Sequence, residues 1–338
     1  MCEYSSVDGF ANDWHLVHLG SRAVGGAGLV MAEMTAISRD ARVSRGGTGL
    51  YLPEHAKAWA RIAAFVHRST GAKLGVQVVH AGRKAATRPT WEGADEPLPT
   101  GGWPLMSASP IPYRAHGPVP RAMTRADMDR VRDDFVLATA MADVAGFDLL
   151  ELHFGDGYLL GSFISPLSNH RTDDNGGSLA QRLRFPLEVF DAVRGAWPEA
   201  KPLSVRISAQ DWVPGGITAA DAVYVAARLR AHGCDVIHVS TGQSVAHEAP
   251  RRGRLYQTPF ADRIRHEVDI PTMTVGTIAG HADVNSIVAA GRADLCVLAR
   301  AHLQDPYWTR HAAIAQGYDV PWPPPYSAVQ TFVARGAD

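Results

Sequence analysis

The sequence predicts an α/β fold, a single (β/α)8 TIM barrel whose first strand is truncated at the N-terminus. Seven short apolar segments are each followed by a helical pattern, and one further helix has no strand before it. This alternation is typical of a parallel sheet covered by helices, and eight helices favour the barrel. The alternative is an open doubly wound sheet, but its phosphate fingerprint, GxGxxG between a strand and a helix, is absent.

The elements follow one another in a regular order. Helices are predicted over 12–25, 53–70, 124–145, 178–197, 218–232, 258–267, 281–290 and 305–316, and strands over 28–37, 73–79, 147–152, 202–208, 235–240, 272–276 and 294–299. Pro53 stands in a first helical turn, where it is tolerated. Thr124 and Asp127 have the spacing of a capping box, and Gly146 stands where a glycine ends a helix.

Two stretches depart from the alternation. Residues 86–120 are rich in Pro, Gly and Trp without periodicity, and we expect a lid-like excursion from one domain spanning 1–338. The central strand, 147–152, is followed by a loop that reaches Gly177. Loops of this length are usually functional or disordered, and the aromatic and aliphatic residues of this one argue against disorder.

Composition excludes several function classes. The 338 residues carry 33 basic and 34 acidic side chains that are well mixed, so nothing indicates nucleic acid or a membrane surface. No apolar run has membrane-spanning length, and the N-terminus lacks a signal-peptide pattern. Cys2, Cys234 and Cys296 are widely separated and form no metal-binding pair, so we expect a reducing cytoplasm. A small molecule is the expected partner, and a homo-oligomer is left open.

The functional groups of a (β/α)8 barrel gather at the carboxyl ends of its strands. Those ends carry a ring of polar groups and turns: Glu33, Gln77, His80, His153, Arg206, the 240–243 turn, Gly276 and Arg300. Arg206 lies inside an apolar strand, where a charge is unfavourable unless an anion or several acceptors satisfy it. Arg300 follows the last strand, a usual phosphate site of this fold. The ring therefore favours a phosphorylated cofactor or substrate.

Five motifs then occur in a recognisable order. They are MCEYSS at 1–6, HAGRK at 80–84, SPLSNHRTDDNGGS at 165–178, VRIS at 205–208 with Asp211 after it, and GRADLCVLAR at 291–300. With these motifs the chain resembles the Old Yellow Enzyme family of FMN-dependent ene-reductases over residues 1–307, in particular the bacterial branch with a cysteine near the flavin. Residues 91–113 are also similar to the reductase part of aryl-CoA monooxygenase/reductase proteins.

The resemblance implies FMN as cofactor, NAD(P)H as hydride donor, and an activated alkene, either an α,β-unsaturated carbonyl compound or a CoA thioester, as acceptor. Tyr158 would protonate the substrate α-carbon, and His153 would bind the substrate oxygen. Arg206 would stabilise the reduced, anionic flavin ring. The resemblance further implies flavin contacts for Met1, Cys2, Met34, Gln77, Arg206 and Gly276, phosphate contacts for Ala299 and Arg300, and substrate contacts for Tyr4, His153 and Asp156.

The chain departs from the family pattern at position 156, which holds Asp where the family usually has His or Asn. An ionised Asp only accepts hydrogen bonds. Asp156 is therefore either kept neutral by burial, or ionised and bound to a donor on the substrate or to a protonated His153. We favour the ionised form, because Gly155 and Gly157 suggest an open turn with water access, and we expect poor activity on simple enones.

A second departure is that the sequence begins about where the family's first strand ends. We expect this to weaken barrel closure and FMN retention.

Two other functions are left open by the residues. A flavin-free barrel lyase or hydrolase on a phosphorylated substrate needs a Schiff-base lysine or metal-binding carboxylates, whereas Lys84 lies past its strand in a loop. A truncated, non-catalytic paralogue is favoured by the missing strand and opposed by the intact polar ring. The natural alkene, the preference between NADH and NADPH, and the oligomeric state do not follow from the sequence.

Overall fold

The computed structural model describes residues 1–329, which contain one large sheet and one small one. The strands are β1 (Leu29–Ala36), β2 (Lys73–Val79), β3 (Met106–Ser107), β4 (Arg121–Ala122), β5 (Leu149–His153), β6 (Leu203–Ser208), β7 (Val236–Ser240), β8 (Thr272–Thr274) and β9 (Leu295–Cys296). The large sheet has the order β1-β2-β5-β6-β7-β8-β9, with every neighbouring pair parallel. The predicted α/β fold with seven parallel strands in consecutive order is confirmed.

Helices connect the strands. They are α1 (Asp13–Val24), α2 (Pro53–Ser69), α3 (Thr90–Gly93), α4 (Arg125–Ala145), α5 (Leu159–Ile164), α6 (Leu179–Arg182), α7 (Arg184–Ala196), α8 (Ala219–Ala231), α9 (Thr258–Val268), α10 (His281–Ala289), α11 (Arg300–Gln304) and α12 (Trp308–Ala315), with short 3-10 turns at Gly82–Lys84 and Pro324–Tyr326. No helix within residues 1–329 has the length and apolar character needed to cross a bilayer.

The sheet is an open, seven-stranded one in the described part of the chain. β1 pairs with β2 and β9 pairs with β8, but β1 and β9 do not pair with each other in residues 1–329. The parallel, consecutive strands of the predicted (β/α)8 barrel are therefore confirmed. The closure of the sheet into a barrel is not seen in residues 1–329. The exposed position of β9, where Leu295 is 44% accessible, agrees with an uncovered edge.

The core lies between this sheet and its helices. Trp59 of α2, Phe135 of α4 and Phe147 before β5 are fully buried, and the Trp59 and Phe147 rings lie 5.5 Å apart. Burial of a side chain of this size contributes about 1.5–3 kcal/mol. The rigid layer formed in this way fixes the carboxyl ends of the strands relative to one another.

The helix boundaries follow the local signals in most places. Thr124 caps α4 in a reciprocal capping box with Asp127, and Gly146 ends that helix at φ +88°, a left-handed conformation that glycine adopts easily. The helix predicted over 178–197 is instead divided at Leu183 into α6 and α7. Pro186 explains the division, because it has no N–H to bond the carbonyl of Arg182.

Three other boundaries differ from the prediction. The strand predicted over 294–299 is shortened to the two residues of β9. Residues 300–304 form the helix α11, which begins before the helix predicted from residue 305. Pro306 falls between α11 and α12, where it interrupts the helical hydrogen bonds. The long loop after β5 contains the short helix α5, so this loop is ordered through its own secondary structure.

Residues 86–120 pack over the carboxyl end of the sheet. Leu98, Trp103 and Leu105 from this segment join the apolar cluster that contains Val79 and Tyr158. The indole Nε1 of Trp103 donates to the backbone oxygen of Asp40 at 2.7 Å. The aromatic residues of the segment thus find a packing partner in the domain itself.

Candidate active site

The candidate site lies where β1, β2, β5 and β6 end. The register pairs Met34 with Gln77, Gln77 with Glu151, and His153 with Arg206, so side chains from four neighbouring strands meet at one edge. Tyr4 and Met34 pack against the same apolar cluster as Tyr158. The structure therefore brings together most of the residues that the sequence placed in the first half of the polar ring.

Asp156 is the centre of the polar contacts. Its carboxylate accepts a hydrogen bond from Arg206 Nη2 at 2.9 Å and from Ser240 Oγ at 3.1 Å, and His153 Nε2 lies 3.4 Å away. Ser208 Oγ makes a longer contact of 3.4 Å with the same carboxylate. These donors come from β5, β6 and β7, so the carboxylate ties three strand ends together.

Asp156 is ionised although it is buried. Burial by itself would raise the pKa of Asp156, but the Arg206 guanidinium and His153 hold that pKa far below its usual range. The alternative in which burial keeps Asp156 neutral is therefore wrong. So is the expectation of an open turn with water access, because Asp156 is only 5% exposed.

The two flanking glycines serve close packing. A Cβ on Gly155 would lie 2.9 Å from the backbone nitrogen of Ser208, and one on Gly157 would lie 2.5 Å from the carbonyl oxygen of Gln243. Real Cβ atoms do not approach this closely. The small residues thus let the loop after β5 press against the strand ends, which is why Asp156 is enclosed.

His153 is a neutral hydrogen-bond donor. Its Nδ1 accepts from the backbone N–H of Gly155 at 3.2 Å, which leaves the proton on Nε2, facing Asp156. Burial lowers the pKa of His153, although Asp156 opposes that shift. The ionised Asp156 does face His153 as expected, but the histidine is not protonated.

Tyr158 is a protonated phenol packed on His153. The two rings lie 4.9 Å apart in an edge-to-face arrangement, and Tyr158 is 7% exposed. Burial raises the pKa of Tyr158 well above 10, and negative neighbours including Asp156 act in the same direction. The phenol therefore keeps its proton at neutral pH and has it available for donation.

Lys84 is a site residue that the sequence reasoning placed outside. It follows β2 as predicted, but it ends the 3-10 turn Gly82–Lys84 and is only 1% exposed. Its Nζ donates to the backbone oxygen of Asp156 at 3.0 Å. The ammonium lies 5.0 Å from the Tyr158 ring centre and 4.3 Å from that of Tyr113. Burial lowers its pKa, while the carboxylate of Asp95, 3.6 Å away, opposes the shift. The sequence signal that could have identified Lys84 is its position in HAGRK, directly after the end of β2.

A second buried carboxylate, Glu151, lies one step below the site. It accepts from Gln77 Nε2 at 2.6 Å and Ser204 Oγ at 2.9 Å, and His238 Nδ1 lies 3.0 Å from it. Burial opposes ionisation, but His238, Arg206 and Gln77 lower the pKa of Glu151 to about 2. The alternation in LLELH places Glu151 and His153 on one face of β5, a signal that the sequence reasoning did not use.

The N-terminal residues reach the same region. Burial and the nearby Glu33 raise the pKa of the Cys2 thiol to about 12, so Cys2 is protonated. The backbone N–H of Glu3 donates to Glu33 Oε2 at 3.0 Å and anchors this segment, while Met1 is exposed. Tyr4 accepts a hydrogen bond from Thr90 Oγ1 at 3.1 Å and therefore contacts the 86–120 segment.

The predicted phosphate residues form a separate group. Gly276, Ala299 and Arg300 follow β8 and β9, which are separated from β6 by β7. Arg300 is exposed and begins α11 instead of ending a strand. Gly276 has φ +111°, which favours glycine. Within residues 1–329 the Arg300 guanidinium forms no ion pair, so it is available to an anion.

His80, another member of the polar ring, binds the backbone of the turn that follows it. It is buried, its Nδ1 accepts from the backbone N–H of Gly82 at 3.0 Å, and burial lowers its pKa to about 4.

The residues present fit FMN. Arg206 Nε is buried without a hydrogen-bond partner in residues 1–329, although Nη2 of the same side chain binds Asp156. A buried N–H left in this state needs an acceptor from outside the described residues, and the polar edge of a flavin ring would supply one. By contrast, residues 1–329 contain no group of three or more His, Cys, Asp or Glu side chains arranged to hold a metal ion.

Comparison with known proteins gives one consistent result. The sequence profile of the NADH:flavin oxidoreductase / NADH oxidase family matches residues 1–317. The chain is 40% identical over 318 residues to an NADPH dehydrogenase of Geobacillus sp. (strain WCH70), covering 93% of this chain and 87% of the relative. It is 35% identical over 328 residues to the NADPH dehydrogenase of Bacillus subtilis (strain 168), covering 96% and 92%.

Solved structures agree in fold. Morphinone reductase superposes with a TM-score of 0.77 at 22% identity, covering 97% of this chain and 87% of that chain. A 2-naphthoyl-CoA reductase in complex with 2-naphthoyl-CoA superposes with a TM-score of 0.81 at 23% identity. The match covers 94% of this chain but only 48% of that longer one.

Proposed function

Because the chain belongs to the NADH:flavin oxidoreductase / NADH oxidase family, we propose that its site reduces an activated alkene, an α,β-unsaturated carbonyl compound or a CoA thioester. Family membership makes it an FMN-dependent oxidoreductase that uses NAD(P)H. A protonated Tyr158 lying 4.9 Å from a neutral His153, beside the Arg206 cation, is the observation that carries the substrate proposal.

FMN, when bound, would accept hydride from NAD(P)H and deliver it to the substrate. The unpaired Nε of Arg206 would meet the polar edge of the ring. Met1, Cys2, Met34 and Gln77 would line the ring from β1, β2 and the N-terminal segment, while Gly276, Ala299 and Arg300 would hold the phosphate. Arg300 is suited to this because its guanidinium is exposed and has no ion pair within residues 1–329.

Tyr158 would act as the general acid. Its raised pKa keeps the phenol protonated, so it can give a proton to the α-carbon as hydride arrives at the β-carbon. Tyr4 and His153 would position the substrate, His153 through the proton on Nε2. That proton is shared with Asp156 in the resting site, which limits how well it binds a carbonyl oxygen.

The site gives no support to the two alternative functions. A lyase or hydrolase without flavin has no metal-ligand cluster in residues 1–329 to work with. Lys84 is buried, but its ammonium is occupied by Asp156 O and Asp95. A non-catalytic paralogue would not require the enclosed group of Tyr158, His153 and Arg206, and this group is intact.

We also propose a finer architecture for the domain. The consecutive strand order is that of a (β/α)8 barrel, and an eighth strand would join the free edges of β1 and β9. Residues 1–338 would form one FMN-binding domain in which 86–120 is a lid over the substrate. Three free cysteines fit a cytoplasmic location.

The test is a spectrum of the purified protein with and without added FMN. We expect a yellow protein whose flavin absorbance is bleached anaerobically by NADPH or NADH and restored by an activated alkene such as an enoyl thioester. A protein that takes up no FMN when the cofactor is supplied would overturn the proposal.

A further inference from the structure

The carboxylate of Asp156 is already surrounded by polar groups of the protein. An ionised carboxylate offers about four lone-pair sites. Arg206 Nη2 and His153 Nε2 lie 2.9 and 3.4 Å from Oδ2. The hydroxyls of Ser240 and Ser208 lie 3.1 and 3.4 Å from Oδ1, although each also contacts a backbone carbonyl, that of Ile207 or Gly242. The idea that Asp156 binds a hydroxyl or amine on the substrate is therefore not favoured by this geometry. Its role has to be sought in the groups that it already binds.

Arg206 is the partner with the larger consequence. Asp156 is nine-tenths buried and its ion pair with Arg206 is 2.9 Å long, so solvent and salt screen the interaction little. The other edge of the same guanidinium, Nε, is buried and unpaired. Arg206 thus presents one edge to a negative counter-ion and a second edge to whatever molecule binds the site.

We propose that Asp156 is a fixed counter-ion of Arg206 that lowers the reduction potential of FMN bound at this site; the proposal rests on the function proposed above. A reduced flavin ring carries negative charge, and a cation beside it favours the reduced state. A carboxylate that pairs with that cation offsets the stabilisation. A neutral His or Asn at position 156 leaves the cation uncompensated, so Asp156 makes the bound flavin a stronger reductant.

The arrangement also selects against one kind of substrate. The Nε2 proton of His153 points to Asp156, so a developing oxyanion must compete with a permanent one for the same donor. Asp156 therefore weakens the stabilisation of a substrate oxyanion and at the same time increases the reducing power of the bound flavin. Such a balance suits alkenes that are difficult to reduce more than simple enones that are activated by a hydrogen bond to their carbonyl.

The experiment measures the midpoint potential of FMN bound to the unaltered protein and to Asp156→Asn, by anaerobic equilibration with reference dyes. Asparagine keeps the shape of the side chain and an acceptor for Arg206 but removes the charge. We expect a positive shift, with the ratio of reduced to oxidised flavin rising on the order of tenfold at a fixed ambient potential. For a two-electron couple this is about 30 mV.

The matched control is Asp148→Asn. Asp148 precedes β5, at the opposite end of the strand, where it pairs with His67 and Lys73. Its loss removes the same charge from the same segment, and we expect no shift. The double variant Arg206→Gln with Asp156→Asn should have a more negative potential than Asp156→Asn alone, because the cation that favours the reduced ring is then missing as well.

Each outcome is distinguishable. If the unaltered protein binds no FMN, the proposed function is refuted, and the inference that rests on it is refuted with it. If FMN binds and NADPH reduces it, but Asp156→Asn has an unchanged or more negative potential, the inference is overturned. Should Asp156→Asn fail to fold, Asp156→His gives the same comparison with another neutral side chain.

Discussion

Replacement of Tyr158 by phenylalanine separates the two halves of the proposed reaction. The substitution removes a single oxygen, and this Oη makes no hydrogen bond within residues 1–329. The ring would keep its edge-to-face contact with His153 at 4.9 Å and its position 5.0 Å from Lys84 Nζ. We therefore expect the free energy of unfolding to change by less than about 1 kcal/mol.

The kinetic effect should be much larger, and confined to the alkene. A positioned general acid typically contributes about 10²–10⁴-fold, which corresponds to about 2.7–5.5 kcal/mol of barrier. Stopped-flow absorbance of the flavin measures reduction by NAD(P)H and reoxidation by the alkene separately. Tyr158→Phe should slow reoxidation by this factor and leave reduction unchanged.

The pH dependence gives an independent check of the same assignment. Because the pKa of Tyr158 is raised well above 10, the phenol stays protonated, and reoxidation should not decline between about pH 6 and 9 through loss of this proton. Tyr113→Phe is the matched control, because Tyr113 is the other tyrosine beside the Lys84 ammonium. Its ring centre lies 4.3 Å from Lys84 Nζ. Equal slowing of both half-reactions, or none in either, would refute the proton-donor role.

Four further predictions follow from the site. Arg206→Ala should weaken FMN binding or slow flavin reduction, because the ring loses its cation; full occupancy with unchanged reduction kinetics would place Arg206 elsewhere. The pKa of Glu151 is lowered from 4.5 to about 2, so its ionised form stabilises the fold by about 3 kcal/mol above pH 4.5, and this contribution is lost as the pH falls toward 2. Denaturant titrations from pH 2 to 7 should show this loss, and Glu151→Gln should flatten it. The Cys2 thiol, with a pKa raised to about 12, should react with iodoacetamide at pH 8 more slowly than free cysteine; equal rates measured by mass spectrometry would contradict the raised pKa. Asp156→Asn should reduce cyclohexenone-type substrates about tenfold faster, because the permanent negative charge no longer competes for the His153 donor; a slower variant would show that competition for this donor does not limit the reaction.

Local sequence signals determined the elements and their order. Thr124 with Asp127 fixes the start of α4 and Gly146 its end, because capping and the left-handed conformation depend on residues within one turn. The parallel order of seven strands follows from the alternation of short apolar segments with helices. The break between α6 and α7 also has a local cause, Pro186. The helical periodicity on both sides of this proline led to the prediction of one continuous helix.

The candidate site was predictable as a set of positions. Residues near the carboxyl ends of parallel strands share one edge of the sheet, so His153, Arg206 and Gln77 could be grouped from the sequence. The states of these residues were not predictable in the same way. Lys84 was assigned to an outer loop, because nothing local to HAGRK shows that α5 and the 86–120 segment enclose it.

Asp156 shows most clearly what only the tertiary structure decided. Its neighbours Gly155 and Gly157 suggested water access, but the donors that bind its carboxylate include Arg206 and Ser240, 50 and 84 residues away. The protonation state of a carboxyl group depends on its burial and on the charges within a few ångströms. Those distances are set by the packing of β5, β6 and β7, and no local pattern along the chain encodes them.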